Sequence, residues 1–100
     1  MEIRTDTITF NRARGTFPRS DSRTVTFPSN VRQAVAILTG ADFGFSPNDD
    51  HHLGMVDVRV SSSASGPNVT VTATLGVRDW SGNVDDDYEG AVHFAVVAEV

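Results

Sequence analysis

The chain has 100 residues, 39% of them hydrophobic, no cysteine, and thirteen acidic against eight basic residues, giving a formal charge of -5. That length allows one domain with a modest core, and the lack of thiols excludes a disulfide framework and thiolate zinc sites. Every basic residue is an arginine, and an acidic, lysine-free chain lacks the basic patch of nucleic-acid binders and the polybasic anchor of membrane-surface binders.

The first ten residues contain no hydrophobic leader core, and no later run approaches a membrane span, so membrane insertion is not expected. Residues 3–10 read as a first strand, and a turn follows from Arg14 and Gly15 to Asp21. A short strand is predicted over 24–27. Residues 31–39 allow two readings. Val31, Ala34, Val35 and Leu38 make one stripe of a short helix that Ser29 and Asn30 would cap. As a strand, the same segment is apolar on both faces, and that reading is preferred because the rest of the chain is β.

A turn is expected over 43–54, then a strand over 55–60 in which Val56, Val58 and Val60 alternate with Asp57 and Arg59. Residues 61–68 read as a hairpin loop. In 68–77, Val69, Val71, Ala73 and Leu75 alternate with Thr70, Thr72 and Thr74. A polar loop over 79–90 leads to a last strand over 91–100, with Val92, Phe94, Val96, Ala98 and Val100 on one face. Period-two alternation with valine and threonine is the mark of half-buried strands. Six short strands with polar turns predict an all-β, six-stranded antiparallel β-sandwich forming a single domain over 1–100. Ala91, Ala95 and Val97 make the second face of the last strand apolar too. A sandwich has one inner face, so this predicts self-association.

Chemistry is concentrated in the 79–90 loop. It holds the only tryptophan, Trp80, and the only tyrosine, Tyr88, with five carboxylates and two glycines. A sugar asks for this mixture: an aromatic face for its C–H side, fixed acceptors for its hydroxyls, and glycine where backbone comes close. Asp79, Trp80, Ser81 and Tyr88 are therefore candidate ligand-binding residues, and the alternative is a solvated turn whose rings tuck onto the sandwich. Asn83, Asp85, Asp87 and Glu89 offer oxygen ligands to calcium, although glycine is missing from the sixth position of an EF-hand loop and no helices flank it. No cofactor is required by any motif, and Ca2+ is the one metal the loop suits. Asn48, Asp49, Asp50, His51 and His52 form a second polar cluster, best read as turn and strand entry, since adjacent histidines on an extended chain point opposite ways.

Arg59 stands on the polar face of a valine strand, where its planar fork suits hydroxyls or carboxylates; an ion pair with Asp57 or Glu99 is the alternative. No serine sits in a nucleophile elbow and no phosphate-binding loop is present, so catalysis is not expected.

The order of elements, from Val25-Thr26-Phe27 through residues 34–40, 55–60 and 69–77 to Asp79-Trp80 and the strand opened by Tyr88, resembles an H-type lectin domain. The resemblance covers residues 24–100. It implies a six-stranded antiparallel sandwich that assembles as trimers or hexamers and binds glycans of the galactose or N-acetylgalactosamine type at a secreted or particle surface. Carried over, the family's strand arginine falls on Arg59, its tryptophan on Trp80 and its tyrosine on Tyr88. Where the family has a histidine after the tryptophan, this chain has Ser81. The same fold used for adhesion or for assembly of a larger particle is the alternative reading.

Overall fold

The computed structural model describes residues 1–13, 17–45, 52–81 and 87–100. Its strands are β1 (Glu2–Ala13), β2 (Arg19–Thr26), β3 (Gln33–Phe45), β4 (Leu53–Ser65), β5 (Asn68–Asp79) and β6 (Tyr88–Glu99). They form two antiparallel three-stranded sheets, ordered β1-β6-β3 and β2-β5-β4, and so an all-β, sandwich-like fold. Residues 33–45 are a strand, which settles the ambiguity over 31–39 against the helix.

The central strands β5 and β6 carry the densest apolar alternation, and they supply most of the core. Val69, Val71, Ala73, Leu75 and Val77 of β5 face Tyr88, Val92, Phe94, Val96 and Ala98 of β6. Ile8 and Phe10 of β1 complete the layer, with Phe27 at one end. Only β4 and β5 are joined by a hairpin within one sheet; the other successive strands lie in opposite sheets. Gly66 takes φ 59° ahead of Pro67, the type II′ combination that matches strand twist.

Several strands run further than predicted. Residues 61–65 belong to β4, so the hairpin turn is confined to Gly66 and Pro67. β2 opens at Arg19 inside the expected turn, β3 continues to Phe45, and β6 begins at Tyr88.

Along the β1–β2 side of the sandwich, arginines replace the missing hydrophobics. Arg4 lies over the Phe27 ring at 4.9 Å and donates to the Thr26 carbonyl at 3.3 Å. Arg23 pairs with Asp6 at 3.4 Å. Arg19 lies over the Tyr88 ring at 4.4 Å and donates to the carbonyls of Asn11 and Tyr88, each at 2.7 Å. Their stems cover apolar surface while the guanidinium groups bridge the two sheets.

Candidate functional site

The structure gathers part of the predicted loop and disperses the rest. Asp79, Trp80 and Ser81 share one turn at the end of β5. The Asp79 carboxylate accepts from the Ser81 amide at 3.1 Å and from the Ser81 hydroxyl, an Asx-type turn that fixes both side chains locally. The Trp80 amide donates to the His52 carbonyl at 2.9 Å, and the indole projects into solvent, 73% exposed. Gly54 allows this approach, because a Cβ there would strike the Asp79 carbonyl and lie 2.5 Å from the Cα of Trp80.

Tyr88 is a correction to the expected site. It is fully buried, its ring lies beneath Arg19, and its hydroxyl donates to the Leu75 carbonyl at 3.2 Å. A ring enclosed in this way belongs to the core and offers no stacking face. Arg59 takes the ion pair that the sequence offers as its alternative. Its guanidinium makes a two-pronged pair with Asp57 on the same strand, at 2.8 and 3.0 Å. Arg59 is level with Thr74. Trp80 lies six residues further along β5, so about 20 Å of strand separates the two. One sugar ring cannot touch both.

Of the expected calcium ligands, Asn83 and Asp85 lie outside the described residues, as do Asp49, Asp50 and His51 of the second cluster. Asp87 is held by Arg12 at 2.7 Å, and Glu89 stands on β6, exposed. Among the described residues no three metal-ligating side chains converge.

A better-formed recess lies on the outer face of the β1-β6-β3 sheet. It is an open groove of about 410 Å³, within the range of small-ligand sites. Three strands line it: Thr9, Phe10 and Asn11 from β1, Asp42, Phe43 and Gly44 from β3, and Glu89, Gly90 and Ala91 from β6. The register explains the grouping. Thr9 and Asp42 both sit opposite Ala91, while Gly44 sits opposite Glu89. Gly90 draws β3 close, since a Cβ there would land on the Asp42 carbonyl oxygen. Gly44 instead leaves space, for a Cβ at that position meets nothing within 4 Å. Phe43 stands opposite Gly90 in the inward row with Phe10, so its ring is directed away from the groove, and Thr9, Asn11, Asp42 and Glu89 supply the polar groups.

Next to the groove a hydrogen-bonded row crosses the sheet. His93 Nε2 lies 3.0 Å from Asp42 Oδ2, and His93 Nδ1 lies 2.8 Å from Thr7 Oγ1. An ionised carboxylate only accepts, so in the neutral ring Nε2 carries the proton and Nδ1 accepts from the Thr7 hydroxyl. The row holds Asp42 at the rim in one orientation.

The local sequence gave no sign of this site, because its residues come from three strands distant in the chain. The available signal was an aspartate and two glycines set among the alanines and phenylalanines of β3 and β6. Compared with protein-family models, with curated proteins and with solved structures, the chain matches none.

Proposed function

We propose that the protein is a carbohydrate-binding, lectin-like module that binds glycans without turning them over and works as a homo-oligomer. The groove is the observation that carries this reading. It combines a floor of Gly44, Gly90 and Ala91 that lets a sugar ring settle against backbone and a rim of carboxylate, amide and hydroxyl groups. Sugars present alternating C–H and O–H surfaces, and the rim groups answer the O–H side. The resemblance to H-type lectin domains points the same way, although the groove lies away from Arg59 and Trp80. Self-association is supported by the apolar rows on the same sheet face: Ile3, Val97 and Val35 stand side by side, as do Ala95 and Ile37 in the next row. Ile3, Val35 and Ile37 are 61%, 51% and 48% exposed.

A glycan array probed with multivalent protein, with and without calcium, tests the proposal. Gly44→Val is the control variant, since its side chain enters the groove without meeting a neighbour. Glycan binding that disappears with Gly44→Val and persists with Trp80→Ala supports the groove. Failure to bind any glycan removes the proposal. The apolar rows favour a second reading, an assembly module of a larger particle. An oligomer that binds no glycan would support it.

A further inference from the structure

We infer that the outer face of the β2-β5-β4 sheet holds a site for a single carboxylate borne on a sugar ring, that is, for a uronate residue of an acidic glycan. This site lies on the other sheet from the groove and stands independently of it. It begins from one arginine whose bonding differs from the rest. Arg4, Arg12, Arg23 and Arg59 each lie within 4.0 Å of a carboxylate, and Arg19 donates to two carbonyls. Arg78, on β5, holds no oxygen among the described residues. Its Nη2 donates to the Met55 thioether at 3.6 Å, and its Nε is buried without an acceptor. The guanidinium lies over the Phe17 ring at 5.3 Å.

The frame around this cation holds it in place. Met55 stands opposite Arg78 on β4, and Phe17 with Pro18 closes over Gly76, where a Cβ would come 2.7 Å from the Phe17 ring. A thioether and an aromatic ring orient a guanidinium without neutralising it, so the planar fork keeps its charge and its donors for a carboxylate. The acidic neighbours on these strands are held by other groups: Asp57 by Arg59 at 2.8 and 3.0 Å, and Asp79, in the alternate row, by Ser81. The next residue in the outward row of β5 is Trp80, 73% exposed, with its amide bonded to the His52 carbonyl. Two residues of strand put the Cα atoms of Arg78 and Trp80 about 7 Å apart. One hexuronate reaches both, its C–H face on the indole and its carboxylate on the fork. One guanidinium matches one carboxylate. A sulfated sugar brings more charge than Arg78 neutralises, and the chain's net charge of -5 repels the surplus.

Calorimetric titration of the intact protein with three tetrasaccharides tests the inference: α-1,4-linked galacturonate, its full methyl ester, and fully sulfated maltotetraose. The expected result is binding of the galacturonate about tenfold or more tighter than either of the others, weakened by added salt. Trp80→Ala removes an exposed ring and should reduce that affinity about fivefold or more while the melting temperature stays in place. Arg78→Lys keeps the charge but loses the planar fork, and should also reduce it about fivefold or more. If Arg78→Lys fails to fold, Trp80→Ala decides alone. Equal binding of acid and ester overturns the carboxylate assignment. Equal or tighter binding of the sulfated sugar overturns the single-anion match. Galacturonate binding that Gly44→Val abolishes places the ligand in the groove and overturns this site, as does binding that Trp80→Ala leaves intact. Failure to bind galacturonate overturns the inference and leaves the groove's reading to its own test.

Discussion

Tyr88 shows how one residue separates a core role from a binding role. Its ring is enclosed between Arg19 and the β5 side of the core, and its hydroxyl reaches the Leu75 carbonyl. Tyr88→Phe keeps the ring and removes one buried hydrogen bond, so it should lower stability by about 0.5–1.5 kcal/mol. Tyr88→Ala empties the site and should cost about 3–5 kcal/mol. Urea unfolding measures both. A residue that touched ligand would show the opposite pattern, with Tyr88→Phe weakening glycan binding and leaving the unfolding midpoint in place. The aromatic pairing that the sequence suggests for the 79–90 loop divides along the same line, since Trp80 faces solvent while Tyr88 is core. Sequence proximity placed them together. Strand alternation points them to different environments, and periodicity cannot read across a loop.

At the scale of elements, alternation was legible where inward positions are aliphatic and was lost where they are not. Val69, Val71, Leu75, Val92 and Phe94 mark β5 and β6 nearly end to end. The end of β4 reads as a loop because Ser61, Ser63 and Ser65 alternate with Ser62 and Ala64, a pattern with little hydrophobic contrast. Pairing with β5 extends it, with Ser62 opposite Val71 and Ala64 opposite Val69. The start of β2 hides its inward positions behind Arg19 and Arg23, whose guanidinium groups take the place of aliphatic chains. In β3 the register shifts between Leu38 and Gly40, so the alternation changes phase within the strand and its second half looks irregular. That second half carries Asp42 and Gly44, which is why the groove stayed out of sight. The extended β4–β5 hairpin depends on its two-residue turn. Gly66→Ala forces a side chain into the left-handed region at φ 59° and should destabilise the fold by about 1–2 kcal/mol. A thermal melt checks this, and an unchanged midpoint would show that the turn relaxes to another type at no cost.

For the whole molecule, the outer face of the β1-β6-β3 sheet holds two features along one strand direction. The apolar row of Ile3, Val97 and Val35 lies six residues from the row of Thr9, Ala91 and Asp42, so the sticky end and the groove are about 20 Å apart. An assembly that buries the first keeps the second close to its seam, and each added subunit brings another groove into the same neighbourhood. Linked weak sites gain avidity of about 10²–10⁴ over a single site when geometry lets them engage together. Ile37→Lys and Val35→Asp place charges in the apolar rows, where burial against another copy becomes unfavourable, while Thr9, Asp42 and Glu89 keep their positions. Light scattering should then report a monomer. Calorimetry with a single short oligosaccharide should return the wild-type affinity, because the groove is intact. Retention on a dense glycan surface should fall by a factor within that avidity range. If the charged variants remain oligomeric, the seam lies elsewhere; if short-ligand affinity falls with oligomerisation, the binding site spans two subunits and the groove of one chain is not sufficient.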